Sequence, residues 1–202
     1  IVIFLIALNG VGFREMKKAI AIIVLGLLWC NVGIAENNWE IEEQEKSITV
    51  RTEGTIQKGD RLTFWISKNG CNTLEHTFTF YTMKAKTSIK KIEGKDVSIK
   101  SLGHKTLAEL KYIMSTEPYM SGNSAFFSIG HYKLDEHIKF LEKYENFDVK
   151  LDFIFVDKEH TKGWDASDFF DILDNSWNLE GVGEALNKGK AKCEGKLSED
   201  ET

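Results

Sequence analysis

The sequence predicts a mainly β domain, an antiparallel β-sandwich carrying one short internal helix and a C-terminal helix. Three observations predict it. Apolar and polar residues alternate over most of the chain, glycine-bearing turns punctuate the alternation, and the period lengthens to three and four at only two places.

Ile48, Val50 and Thr52 alternate with Thr49 and Arg51. After the turn Lys58-Gly59-Asp60, Leu62, Phe64 and Ile66 do the same against Thr63, Trp65 and Ser67. Asn69-Gly70 is a strong hairpin signal, and the strand beyond it carries Phe78 and Phe80 between Thr77, Thr79 and Tyr81. Further short strands are expected at Ile89 to Ile92, Val97 to Leu102 and Leu107 to Met114, parted by turns at Glu93-Gly94-Lys95-Asp96 and Gly103-His104-Lys105. Ala125 to Ile129 is apolar on both faces, as a central strand would be. Phe147, Val149, Leu151, Phe153 and Phe155 form one face of the clearest strand, and Ile154 and Val156 put apolar residues on its other face as well.

Asp135 to Tyr144 reads as a short helix, because Ile138 and Leu141 lie three apart behind an acidic first turn. Leu179, Val182, Leu186, Gly189 and Cys193 recur at three and four and define a C-terminal helix. Gly181, Gly183 and Gly189 lower its intrinsic propensity by about 1 kcal/mol each, so it must be held by docking.

Ahead of this domain stands an export signal in three parts. Lys17 and Lys18 follow Met16, an apolar run extends from Ala19 to Trp29, and small Gly33 and Ala35 precede an abruptly polar Glu36-Asn37-Asn38. The apolar run is shorter than the roughly 20 residues needed to span a bilayer. The expected organisation is upstream or leader sequence over residues 1–15, a signal peptide over 16–35 cleaved between Ala35 and Glu36, a β-rich domain over 36–195 and a disordered tail over 196–202. No stable membrane span remains after cleavage.

The chain has 26 Lys and Arg against 31 Asp and Glu, a formal charge of −5. Without residues 1–35 the balance is 23 basic against 30 acidic residues, or −7. Such a surface lacks the concentrated positive patch that nucleic acid requires. Cys30 departs with the leader, which leaves Cys71 and Cys193 as an even pair in an oxidising compartment and therefore an expected disulfide.

Motifs for chemistry are sparse. His76, His104, His131, His137 and His160 are scattered, and the nearest approach to a metal set, His131 and His137 with Asp135, has the wrong spacing for two ligands on one helical face. Exposed or capping histidines are the expectation. Asp165, Asp168, Asp171 and Asp174 recur at three behind Asp157 and Glu159, yet the alternation of a calcium loop is absent and a solvated acidic face is expected. Ser121-Gly122-Asn123-Ser124 has no nucleophile-elbow pattern, and Gly181-Val182-Gly183 follows no strand of the kind a phosphate loop needs. No cofactor, metal or catalytic residue is assigned. Of the tryptophans, Trp65, Trp164 and Trp177 are candidates for lining a ligand groove, with core packing as the alternative.

Asp60-Arg61-Leu62-Thr63-Phe64 leading to Cys71, Phe78 to Thr82, and Trp177-Asn178-Leu179-Glu180-Gly181 with Ala185-Leu186 and Cys193 resemble small secreted β-domain proteins of Gram-negative bacteria. The group is the loose one related to invasion-associated locus B. The resemblance covers about half of the chain beyond the leader and implies an extracytoplasmic β-domain ending in a helix, with no catalytic residues to transfer. The expected function is that of a non-enzymatic periplasmic or secreted protein that binds an envelope partner or small ligand. The rival is an extracytoplasmic hydrolase using Asp and Glu side chains. Intact-mass measurement of the protein recovered from the periplasm should give a chain that starts at Glu36; a species still carrying Met16 would refute the cleavage.

Overall fold

The computed structural model describes residues 39–116 and 121–197. The expected signal peptide, Cys30, the Ala35/Glu36 cleavage point and the end of the polar tail lie outside the described residues. Ten strands form one antiparallel sheet: β1 (Glu40–Glu43), β2 (Ser47–Glu53), β3 (Arg61–Ser67), β4 (Thr73–Thr82), β5 (Asp96–Ser101), β6 (His104–Ser115), β7 (Asn123–Lys133), β8 (Asn146–Phe155), β9 (Gly163–Asp165) and β10 (Asp174–Asn178). Their order is β1-β2-β3-β4-β7-β6-β5-β8-β10, with β9 paired to β8. The helices are α1 (Lys86–Ile89), α2 (Leu134–Leu141) and α3 (Val182–Cys193).

The sheet folds over on itself as the two layers of a sandwich do. Four strands separate β4 from β10 in the sheet, yet Phe78 of β4 lies 6.0 Å, ring centre to ring centre, from Trp177 of β10. Phe147 of β8 lies 4.7 Å from His76 of β4. The inward positions read from the alternation, Ile48, Val50, Leu62, Phe64, Ile66, Phe78 and Phe80, are fully buried. Removing such side chains from water supplies the main favourable contribution to folding, roughly 25 cal/mol for each Å² of apolar area.

A polar clasp closes the fold. The loop after β2 crosses to β10, where Thr55 N donates to Ser176 O at 2.7 Å and the amides of Ile56 and Gln57 donate to Asn175 Oδ1. Asn175 Nδ2 then donates to Asp60 Oδ2 at 3.1 Å, while Tyr81 N donates to Asp60 Oδ1 at 2.7 Å. A Cβ on Gly54 would meet Asn175 Nδ2 at 2.5 Å, so the loop and the amide can approach this closely only through glycine. Asp60 is 1% exposed, and burial raises its pKa to about 7 against the pull of its two N–H donors.

α3 docks on the inner face of β2 and β3. A Cβ on Gly189 would lie 2.7 Å from Val50 Cγ2 and 2.9 Å from Ile66 Cδ1, so this glycine is the price of close contact as well as a weak helix former. Cys193 at the end of α3 is bonded to Cys71 beside the Asn69-Gly70 turn, with Cα atoms 5.8 Å apart. Trp39 completes the attachment by donating from Nε1 to Glu180 O at 2.8 Å.

Two expectations are corrected. Ile89 to Ile92 is not a strand: α1 runs into a 3₁₀ turn at Lys90–Ile92, and Ile89 and Ile92 are buried together because three residues nearly complete a turn. In β8 the face does not run unbroken to Phe155. Ser98 pairs with Phe153 but Ile99 pairs with Leu151, which leaves Asp152 as an extra residue. This bulge reverses the parity, so Ile154 turns inward and Phe153 and Phe155 are half-buried on the other side.

Cys193→Ser should lower stability by as much as about 4 to 5 kcal/mol, the chain-entropy value for a loop of this length, and should expose α3 to early proteolysis. Urea unfolding and timed digestion under non-reducing conditions check this. Because Asp60 has a higher pKa folded than unfolded, its contribution is fully present below about pH 4 and is lost as pH rises to about 7. Asp60→Asn, uncharged throughout, should therefore gain on the wild type by up to about 1.4 kcal/mol per pH unit across that window. A variant that loses ground as pH rises would show that Asn175 prefers the carboxylate.

Candidate functional site

The sheet splits at one end. The β6–β7 ladder runs from Ser115 paired with Asn123 to Glu109 paired with Ser128 and stops there. Beyond it the start of β6 pairs only with β5, and the end of β7 only with β4. A bulge bends β7 away: Thr77 faces Ser128 and His76 faces Gly130, so Ile129 has no opposite residue. Gly130 has φ 137°, a conformation essentially reserved for glycine. α2 lies over this end, with Leu134, Ile138 and Leu141 buried.

The space beneath α2 is a pocket of about 470 Å³, within the range of small-molecule sites. Its walls are His76, Ser101, Leu102, His104, Thr106, Ile129, Tyr132, Lys133, Glu136, His137, Phe140, Tyr144 and Phe147. Aromatic and imidazole rings dominate. Tyr132 stacks on His137 at 4.3 Å with planes 13° apart, and His137 on Phe140 at 5.8 Å and 25°.

At its floor His76 Nδ1 and His137 Nε2 lie 3.1 Å apart and share one hydrogen bond. The two imidazoles are 2% and 6% exposed. Burial, and then the neighbouring His137, hold His76 well below the usual histidine pKa, and burial lowers His137 to about 4. Both rings are therefore neutral at physiological pH. Among the described residues, His76 Nε2 and Ser101 Oγ are buried without a hydrogen-bond partner. Each such group costs about 1–3 kcal/mol relative to a satisfied one.

Of the residues singled out from sequence, His76, His104 and His137 line this pocket and the others do not. Trp177 is fully buried in the core, Trp65 is bonded through Nε1 to Thr77 Oγ1, and Trp164 packs on Phe169 beneath the Lys91 ammonium. The three tryptophans share no groove, because Trp177 has inward parity on β10 whereas the other two belong to separate parts of the sheet. His131 faces Glu75 and Asp135 pairs with Lys190, so neither joins His137. The expectation of exposed or capping histidines fails for His76 and His137. His76 shares the parity of Phe78 and Phe80, and His137 precedes Ile138 on the apolar stripe of α2; that register was the available signal.

Asp157 and Asp165 serve local turns, whereas Asp171 ties its loop to the end of β4. Asp157 accepts from the amides of Thr161 and Lys162, Asp165 caps Ser167, and Asp171 accepts from Thr82 Oγ1 and Met83 N. Among the described residues no three His, Cys, Asp or Glu side chains converge as a metal set. Asn123 of the Ser121–Ser124 stretch donates to Lys84 O.

Comparison with known proteins returned no matching family model, no matching curated protein and no matching solved structure. No helix among the described residues is long and apolar enough to cross a membrane.

The histidine pair sets an acid limit. Both pKa values are lower folded than unfolded, so their contribution is present above about pH 6.5 and is lost as pH falls towards 4. In an Asp60→Asn background, which removes the opposing carboxylate, the melting temperature should drop steadily from pH 7 to 4.5. Adding His76→Phe and His137→Phe should flatten that slope; an unchanged slope would assign it to other groups.

Proposed function

We propose that this protein is an exported, non-enzymatic binding protein of the periplasm or extracellular space whose ligand is a small molecule held beneath α2. The observation that carries the reading is the ring-lined pocket of about 470 Å³, an apolar body with a few polar side chains among its walls, the combination that defines small-molecule sites. The export signal over residues 16–35 and the Cys71–Cys193 bond support the compartment, since disulfides persist in oxidising surroundings. The resemblance to the invasion-associated locus B group belongs to the same proposal and bears on compartment and fold.

Binding is favoured over turnover because His76 is hydrogen-bonded to a second neutral imidazole, not to a carboxylate or nucleophile that would complete a catalytic set. A raised carboxyl pKa such as that of Asp60 often marks a general acid. Here both Asp60 oxygens are engaged by the clasp. The negative surface also disfavours nucleic acid as a partner.

Native mass spectrometry against a mixture of neutral compounds, 1-decanol, cyclohexylmethanol and 2-naphthol, provides the test. At least one should bind with 1:1 stoichiometry and should be lost in Thr106→Trp, which places a bulky ring at the exposed mouth without touching the core. Binding of none, or binding indifferent to Thr106→Trp, would exclude the pocket as the site.

A further inference from the structure

We infer that the outer face of the sheet carries a second binding site, for a neutral oligosaccharide, with the Trp65 indole as its stacking platform. This site is distinct from the pocket beneath α2 and lies on the other side of the same strands.

The placement follows from parity. Trp65 of β3, Glu75 of β4 and His131 of β7 are successive cross-strand partners in one row. Their chain neighbours Phe64, Ile66, Leu74 and His76 are buried inside, so the row faces outward. With Lys46, Ser47 and Thr73 it lines a groove of about 350 Å³, within the range of small-ligand sites.

The platform follows from one hydrogen bond. Trp65 Nε1 donates to Thr77 Oγ1 at 2.8 Å, and that hydroxyl donates to Thr63 O. Thr77 lies diagonally across from Trp65, opposite Thr63. The indole therefore reaches over to β4 along the sheet instead of standing on it, and the half-buried ring turns its other face to the groove.

The ligand class follows from what surrounds that ring. A pyranose has a C–H face that fits the negative face of an aromatic ring, and a rim of hydroxyls that both donate and accept. Glu75 Oε1 is held by Ser128 Oγ at 2.6 Å, which fixes the carboxylate. Its Oε2 faces His131 Nε2 at 3.8 Å, too far for a direct hydrogen bond and spanned by one hydroxyl placed between them. The His131 side chain is 71% exposed, so a ligand can reach it. Lys46 and Glu75 set one charge of each sign at the groove, an arrangement that favours no ionic ligand.

The length follows from a second aromatic station on the same face. Tyr112 of β6 stacks on Phe126 of β7 at 4.4 Å with planes 18° apart, and Tyr112 is 45% exposed. Phe126 pairs with Thr79, four residues along β4 from Glu75, which places this stack roughly 13 Å further along the sheet. Burial, and then the Glu75 carboxylate, raise the Tyr112 phenol above its usual pKa, so the carboxylate is felt at both stations. A chain of several sugar rings reaches both; a single ring does not.

The experiment is calorimetric titration of the intact disulfide-bonded protein with cellohexaose, maltohexaose, xylohexaose and chitohexaose. At least one should bind, several-fold tighter than its disaccharide and with an affinity unchanged from low to high salt. Trp65→Ala should weaken that binding about tenfold, the scale of a lost stacking contact. Trp65→Phe keeps a ring on the platform and should retain most of the affinity. Tyr112→Ala should bring the hexasaccharide down towards its disaccharide. Binding of none, tightest binding of acidic polygalacturonate, or binding indifferent to Trp65→Ala overturns the inference. A dimer in sedimentation that Trp65→Ala dissociates would assign the face to a second copy and overturn it too. Sugar binding lost in Thr106→Trp but kept in Trp65→Ala would move the ligand beneath α2, so the two sites fail separately.

Discussion

The clasp between Asp60 and Asn175 is the constraint on which the remaining structure depends. A sheet whose terminal strands are far apart in pairing order becomes a closed core only if something joins them, and no β ladder does so directly. The loop after β2 makes the connection, with Asn175 accepting from two loop amides and donating to Asp60. Asp60 in turn ties the start of β3 to the end of β4 through Tyr81 N. The Trp177 ring can then reach Phe78, Phe80 and Phe147. A buried carboxyl is a costly way to make such a joint, as its raised pKa records. Four N–H donors converging from three segments, Ile56 N and Gln57 N of the loop, Tyr81 N of β4 and Asn175 Nδ2 of β10, explain why an acidic residue and an amide occupy it.

The pocket lies where the sheet splits between β6 and β7. Ending the β6–β7 ladder at Glu109 and Ser128 forgoes several hydrogen bonds and opens the core beneath α2. The disulfide and the packing of α3 compensate from the neighbouring face, since α3 also contacts α2 through the Lys190–Asp135 pair. That pair is exposed and contributes at most about 1 kcal/mol; the burial of Leu134, Ile138 and Leu141 does most to fix α2.

Two buried ionisable sites pull stability in opposite directions over one pH range. Asp60 favours acid conditions and the histidine pair favours neutral ones. Their overlap between about pH 4 and 6.5 gives the intact protein a flatter pH profile than either site alone would produce.

Most of the fold was legible in the sequence because strand parity and turn chemistry are local properties. The alternation at Ile48 to Thr52, Leu62 to Ile66 and Phe78 to Phe80, the Asn69-Gly70 turn and the three-and-four spacing ending at Cys193 each record a backbone period directly. The disulfide was legible too, since of the three cysteines Cys30 falls in the expected leader and Cys71 and Cys193 are left to pair. Parity fails wherever an extra residue enters a strand: the bulge at Asp152 leaves no local mark and depends on which strand pairs alongside, while the one at Ile129 is marked only by the neighbouring Gly130. The pocket required more still. His76 and His137 are 61 residues apart, and their meeting, like that of Asp60 with Asn175, is decided by how the sheet folds over. Sequence determined which side chains face inward along the strands without a bulge; tertiary structure decided where the bulges fall and which side chains meet, because contacts across the layers are set by the whole strand order and not by the spacing within any one segment.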